Sequence, residues 1–186
     1  AAERNCAIAG SVAVCENGNY YNRFYFVHPD GAVQHYDKKH LFTFGGEHKR
    51  FTAGTERVVV NFRGVRILLE VCYDLRFPVW SRNLGDYDMI LYVASWPTPR
   101  VDAWSALLRA RAIENQCYVA GVNRMGTDPT CEYSGGSAII DPYGKTIAEC
   151  PWSRESAVSA DIDMEALQAF RKKFPVLDDA DPFTLI

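Results

Sequence analysis

The sequence has no long stretch rich in lysine and arginine, and its 186 residues sum to a net charge of −3. Nucleic acid and anionic membrane surfaces bind through clustered positive charge, so neither is expected as a partner. No apolar stretch approaches the ~20 residues needed to span a bilayer, and the start has no basic segment leading into an apolar one. The chain therefore reads as soluble, without a membrane partner. Its six cysteines (Cys6, Cys15, Cys72, Cys117, Cys131 and Cys150) form no close pair of the kind that builds zinc sites or redox motifs, so no metal site is expected. Also missing are Gly-x-Gly-x-x-Gly and the Gly-x-x-x-x-Gly-Lys-Ser/Thr loop, which argues against a continuous parallel dinucleotide-binding sheet.

What is present is the material of one globular domain, with 48% hydrophobic and 23% charged residues. A chain that can build such a core needs no disulfide staples, so free thiols in a reducing cytoplasm are expected. Short apolar or alternating runs predict strands at Cys6–Val14, within Tyr20–Val33 about a turn at Pro29-Asp30-Gly31, and at Tyr36–Phe42. Further strands are expected at Thr55–Phe62, Val65–Val71, Met89–Ala94, Cys117–Val122, Ser137–Ile140 and Lys145–Glu149. Cys6–Val14 is apolar enough to read as buried. Trp104, Leu107, Leu108 and Ala112 fall at helical spacing and predict a helix over Asp102–Gln116, and Met164–Lys173 reads as a second. The tail from Phe174 to Ile186 has no strong period. Strands, helices and hairpins in this mixture favour α/β layers.

Two stretches resemble each other. Cys6-Ala-Ile-Ala-Gly10 leads toward a hairpin at Gly31, and Cys117-Tyr-Val-Ala-Gly121 toward one at Gly144, at offsets of 111 and 113 residues. The second copy follows a strand, a loop and a helix, whereas the first begins near residue 1. Read as a repeat, this implies that a first strand, loop and helix precede the chain; chance similarity of two buried strands is the rival reading.

Three clusters carry side chains suited to chemistry. Cys72 ends an apolar strand in Glu70-Val-Cys-Tyr-Asp-Leu-Arg-Phe-Pro78, which puts a sulfur at the carboxyl edge of a sheet. Buried free cysteines are usually structural, but a core strand does not normally carry Asp74 and Arg76 directly after one. In Tyr36-Asp-Lys-Lys-His-Leu-Phe42, alternation turns either Lys38 or Lys39 inward, where an ammonium can hold an oxyanion or lower a thiol pKa. His40 or His35 offers an alternative, as the base of a Cys–His pair. The third cluster, Gly45-Gly-Glu-His-Lys-Arg50, presents Glu47 in a loop whose glycines permit unusual backbone angles. An exposed charged loop is its other reading.

In this order the three clusters resemble the nitrilase superfamily of carbon–nitrogen hydrolases. The lysine motif then assigns catalysis to Lys38, the nucleophile motif to Cys72, and the loop to Glu47 as a second active-site glutamate. Arg109-Ala-Arg-Ala-Ile-Glu-Asn-Gln116, Gly121-Val-Asn-Arg124 and Gly135-Gly-Ser137 continue the likeness over essentially the whole chain, so residues 1–186 are expected to form one domain of this type. Gly46-Glu-His48, Cys72–Asn83 and Val93-Ala-Ser-Trp-Pro97 look most like bacterial ω-amidases, which cleave the terminal amide of α-keto acid amides such as 2-oxoglutaramate.

The resemblance implies a four-layer α-β-β-α sandwich, incomplete at its N-terminus, and commonly a homodimer. It implies a small amide as substrate, a thioester on Cys72, an oxyanion held by Lys38 and the backbone N–H of Tyr73, and no cofactor. Trp96 is a candidate wall of the substrate pocket, with core packing as its other reading, and Arg76, Arg100 and Arg124 are candidates for a substrate carboxylate. The family's general-base glutamate lies upstream of the strand that here starts at Cys6, and neither Glu3 nor its neighbours can replace it. Two rivals remain: a Cys–His hydrolase, and a non-catalytic binding or dimerisation module.

Overall fold

A computed structural model describes residues 1–184, so the last two residues of the tail expectation lie outside the described residues. Its strands form two main sheets. The first has three antiparallel strands, β1 (Ile8–Glu16), β2 (Asn19–Val27) and β3 (Val33–Asp37), in that order. β1 turns into β2 at Asn17-Gly18, both with positive φ (50° and 79°), the geometry a two-residue hairpin needs.

The second sheet begins with β4 (Val59–Phe62) and β5 (Val65–Val71), joined by a tight turn at Arg63-Gly64. It continues through β6 (Met89–Ala94) and β7 (Tyr118–Asn123), and is completed by β10 (Ala138–Ile140) and β11 (Thr146–Glu149). The spatial order is β11-β10-β7-β6-β5-β4, and β5, β6 and β7 are mutually parallel. Central parallel strands are covered on both faces, which is why they are continuously apolar rather than alternating. A small hairpin, β8 (Met125–Thr127) with β9 (Glu132–Ser134), sits between β7 and β10. The one-turn helix α1 is Pro78–Ser81, and α3 is Met164–Lys173.

Parallel neighbours need a crossover, and α2 (Val101–Glu114) supplies the one between β6 and β7. Its buried face, Trp104, Leu108 and Ala112, packs with Leu68, Ile90, Tyr92 and Val119 of the sheet. The approach is close enough to require a glycine at 121. A Cβ there would lie 2.6 Å from Leu108 Cδ1 and 2.8 Å from Trp104 Cζ2. The opposite face of the large sheet supplies Val60, Ile67, Leu69 and Val71, which pack against Phe24, Phe26 and Tyr36 of the small sheet. Helix, sheet and sheet are thus stacked in layers, as the expected sandwich requires. No helix among the described residues is long and apolar enough to cross a membrane.

Several elements differ from expectation. β1 is not buried: Ile8 and Val12 are 55% and 54% exposed, because it is an edge strand and no helix among the described residues covers the outer face of the small sheet. The third strand begins at Val33 and ends at Asp37, so the lysine cluster follows a strand rather than lying within one. β4 begins only at Val59, and the β8–β9 hairpin has no counterpart among the expected elements. The repeat, by contrast, has a structural counterpart, since β7, β10 and β11 pair antiparallel in sequence just as β1, β2 and β3 do.

Candidate active site

β5 ends at Val71, and the chain turns sharply at Cys72, whose φ is +48°. A non-glycine residue in the left-handed region is strained, and it persists only where its surroundings hold it. The holder is Asp74, fully buried within the short 3-10 turn Cys72–Arg76. Its Oδ2 accepts from Val71 N–H at 3.0 Å and from Tyr36 Oη at 2.8 Å. Its Oδ1 accepts from His40 N–H at 2.9 Å and lies 2.8 Å from His40 Nδ1. One carboxylate therefore ties the cysteine turn to the segment after β3.

That segment carries Lys38. Its N–H donates to the Asn22 carbonyl at 3.0 Å, continuing the β2–β3 pairing by one residue, so strand alternation sends the side chain inward. Lys38 is 3% exposed, and its Nζ donates to Glu47 Oε2 at 2.6 Å. Lys39 turns elsewhere, its N–H donating to Tyr36 Oη and its ammonium lying 5.2 Å from the Trp80 ring centre. Glu47 is placed by a loop that reverses at Gly46, where φ is +74°. Besides Lys38, it accepts from Phe42 N–H at 2.6 Å and from Asn22 Nδ2 at 3.2 Å.

Lys38, Glu47, Cys72, Tyr73, Phe42 and Trp96 line one cavity of about 540 Å³. The Cys72 sulfur points toward the Ser95 carbonyl, 4.0 Å away. Burial pushes its thiol pKa up, and the positive charge of Lys38 opposes this. Tyr73, which lines the cavity, is the second residue of the 3-10 turn, where a backbone N–H has no partner within the helix. Trp96 stands between the cavity and the core. It lines the cavity, yet is 3% exposed, packs 5.5 Å from Trp104, and donates from Nε1 to the Arg100 carbonyl at 2.7 Å. Two residues before Cys72, Glu70 is also fully buried; Ser81 Oγ donates to its Oε2 at 2.8 Å. Burial, reinforced by the charge of Asp74, pushes the Glu70 carboxyl up to about 8.

The histidines are not at the sulfur. The His40 ring stacks flat on Phe77 at 3.8 Å, bound to Asp74, and His35 is exposed on β3 opposite Tyr25. Neither lines the cavity, which removes the geometry a Cys–His pair requires. Two contributors went unnoticed in the sequence. Asn22 holds Glu47, and the period of two from Phe24 puts it on the inward face. Asn123 bridges Trp96 N–H, the Trp96 carbonyl and the Gly135 carbonyl at 2.7, 3.0 and 2.7 Å; no local signal marks that role. Arg76, Arg100 and Arg124 all reach the cavity. No cluster of three or more His, Cys, Asp or Glu among the described residues is arranged to hold a metal.

The sequence model of the family described as Carbon-nitrogen hydrolase matches residues 1–172. The chain belongs to the carbon–nitrogen hydrolase family. Within that family it is 54% identical over 182 residues to omega-amidase YafV of Escherichia coli K12, covering 97% of this chain and 71% of the relative. It is 42% identical to the 2-oxoglutaramate amidase of Bacillus subtilis 168, covering 92% of this chain and 67% of that protein. In structure it resembles XC1258 of Xanthomonas campestris, a CN-hydrolase superfamily protein with an arsenic adduct in its active site. That match has a TM-score of 0.94 at 47% identity and covers 97% of this chain and 71% of the other.

Proposed function

We propose that this protein is an amidase that hydrolyses the terminal amide of a short α-keto acid, of the 2-oxoglutaramate type, through a thioester on Cys72. The observation that carries the reading is a cysteine on a strained turn sharing one cavity with a buried lysine whose ammonium is fixed by a carboxylate. The names of the E. coli and B. subtilis relatives support the substrate class.

In this mechanism the Cys72 sulfur attacks the amide carbonyl, and the developing oxyanion is met by the Lys38 ammonium and the Tyr73 N–H. Ammonia leaves, and water hydrolyses the thioester. Burial keeps the thiol protonated at rest, so attack requires a base. Glu47 suits that role poorly, because its oxygens already accept from Lys38, Phe42 and Asn22; it serves as the group that orients the lysine. The family resemblance assigns that proton to a further glutamate of its triad. Two-step chemistry of this kind calls on no metal or organic cofactor.

Ammonia release from 2-oxoglutaramate, glutamine, asparagine and a simple nitrile, with Cys72→Ala as blank, tests the reading. Release from 2-oxoglutaramate above the others is expected. Turnover of the nitrile without turnover of the keto-acid amide sinks the substrate class, and undiminished turnover by Cys72→Ala sinks the mechanism.

The same reading takes residues 1–186 as part of one hydrolase domain that works as a homodimer in a reducing cytoplasm. All six cysteines are free, which fits that setting. Light scattering on the purified full-length protein tests the dimer, and a monomer mass removes it.

A further inference from the structure

Three arginines reach the cavity, and they are not equivalent. Arg124 is exposed, lies 4.4 Å from the Tyr133 ring centre, and has a carboxylate neighbour in Asp128 at 3.9 Å. Arg76 is exposed and stacks over Trp96 at 4.9 Å, where water can satisfy its donors without cost. Arg100 is different. It is partly buried, its guanidinium lies 5.4 Å from the centre of the Phe42 ring, and no carboxylate or carbonyl among the described residues accepts from it.

The position of Arg100 is fixed from both sides. Its main chain is held by the short 3-10 turn Thr98–Arg100, and its carbonyl accepts from Trp96 Nε1 at 2.7 Å. The ring beneath its guanidinium belongs to Phe42, whose N–H is bound to the Glu47 oxygen that also holds Lys38. Arg100 therefore sits on the lysine side of the cavity, with its aromatic support tied to the oxyanion machinery. A guanidinium that lines a cavity with its donors unfilled by protein groups is open to a ligand's acceptors, and a planar carboxylate matches its fork. Phe42 and Trp96 would enclose the methylenes between that carboxylate and the reacting amide.

We propose that Arg100 is the carboxylate anchor of this site, selecting amides that carry an acid group at the far end of a short chain. The inference rests on the amidase reading but not on the keto group. Its test compares kcat/KM for glutaramate, the monoamide of glutaric acid, with that for pentanamide, which has the same chain length and no charge. The wild-type protein should favour glutaramate, and glutarate should inhibit pentanamide hydrolysis competitively.

In Arg100→Ala the glutaramate-to-pentanamide ratio should fall about 10–100-fold, through KM, and inhibition by glutarate should weaken by a similar factor. Arg100→Lys, which keeps the charge and loses the fork, should give an intermediate ratio. The proposal is overturned by a wild-type enzyme with no preference and no inhibition by glutarate. It is equally overturned if the ratio survives Arg100→Ala, or if Arg76→Ala abolishes the preference while Arg100→Ala keeps it. If 2-oxoglutaramate is inert while the glutaramate preference collapses in Arg100→Ala, the keto-acid reading fails and the anchor stands.

Discussion

The floor and the rim of the cavity are built on opposite terms. On the floor every charge has its partner, Lys38 on Glu47 and Glu47 on two further donors, and within the cysteine turn the buried Asp74 accepts from four donors of two chain segments. At the rim, Arg76 and Arg100 rest on aromatic faces and have no carboxylate among the described residues. On the proposed function, the difference separates preorganisation from recognition. Groups that must be aimed before the substrate arrives are saturated internally, whereas groups that bind substrate keep their donors open.

The largest effect that bears on this contrast is expected from Lys38→Ala. Removing one oxyanion donor typically costs about 10²–10³ in kcat, and ammonia-release assays on the folded variant should show it. A loss under tenfold would mean the floor is not preorganised for the oxyanion. Next comes Asp74→Asn, which sets an amide NH₂ against donors that need an acceptor. It should cost about 1–3 kcal/mol in urea unfolding, and an unchanged midpoint would break the view of Asp74 as the tie between cysteine turn and lysine segment.

A smaller effect concerns Glu70. Its folded-state value of about 8 lies above the ordinary 4.5, so between these values the folded protein holds a proton that the unfolded chain releases. The stabilisation is complete below the lower value and declines until pH passes the upper one. Urea unfolding across that window should therefore show a downward slope that Glu70→Gln flattens; an equal slope in both proteins would remove Glu70 as its source. The smallest effect belongs to the rim. Arg124→Ala should change kcat/KM less than about fivefold, since exposed ion pairs contribute at most ~1 kcal/mol. A large loss there would move the recognition site away from Arg100.

Much of this arrangement was legible before the structure. The strands β5 and β6 and the helix α3 fall where the apolar periodicity sets them, and period-two alternation narrowed the inward lysine to Lys38 or Lys39. The exposure of β1 was not legible, because an apolar strand reads the same whether or not another layer lies on it. The clamp by Asp74 was not legible either. It joins residues 34 and 38 positions apart, and nothing in the spacing of Asp74 and Tyr36 or His40 encodes that contact.

The sequence by itself determined the residue types of the site and their order along the chain, and through a family resemblance it set the roles expected of Cys72, Lys38 and Glu47. Only the tertiary structure decided that His40 serves Asp74 rather than the sulfur, that Asn22 and Phe42 complete the hold on Glu47, and that Arg100 is the partly buried arginine without an acceptor. The reason is physical. Periodicity reports which face a side chain takes, whereas hydrogen-bond satisfaction and desolvation depend on which segments meet, and that is settled by the packing of two sheets and a helix around a common core.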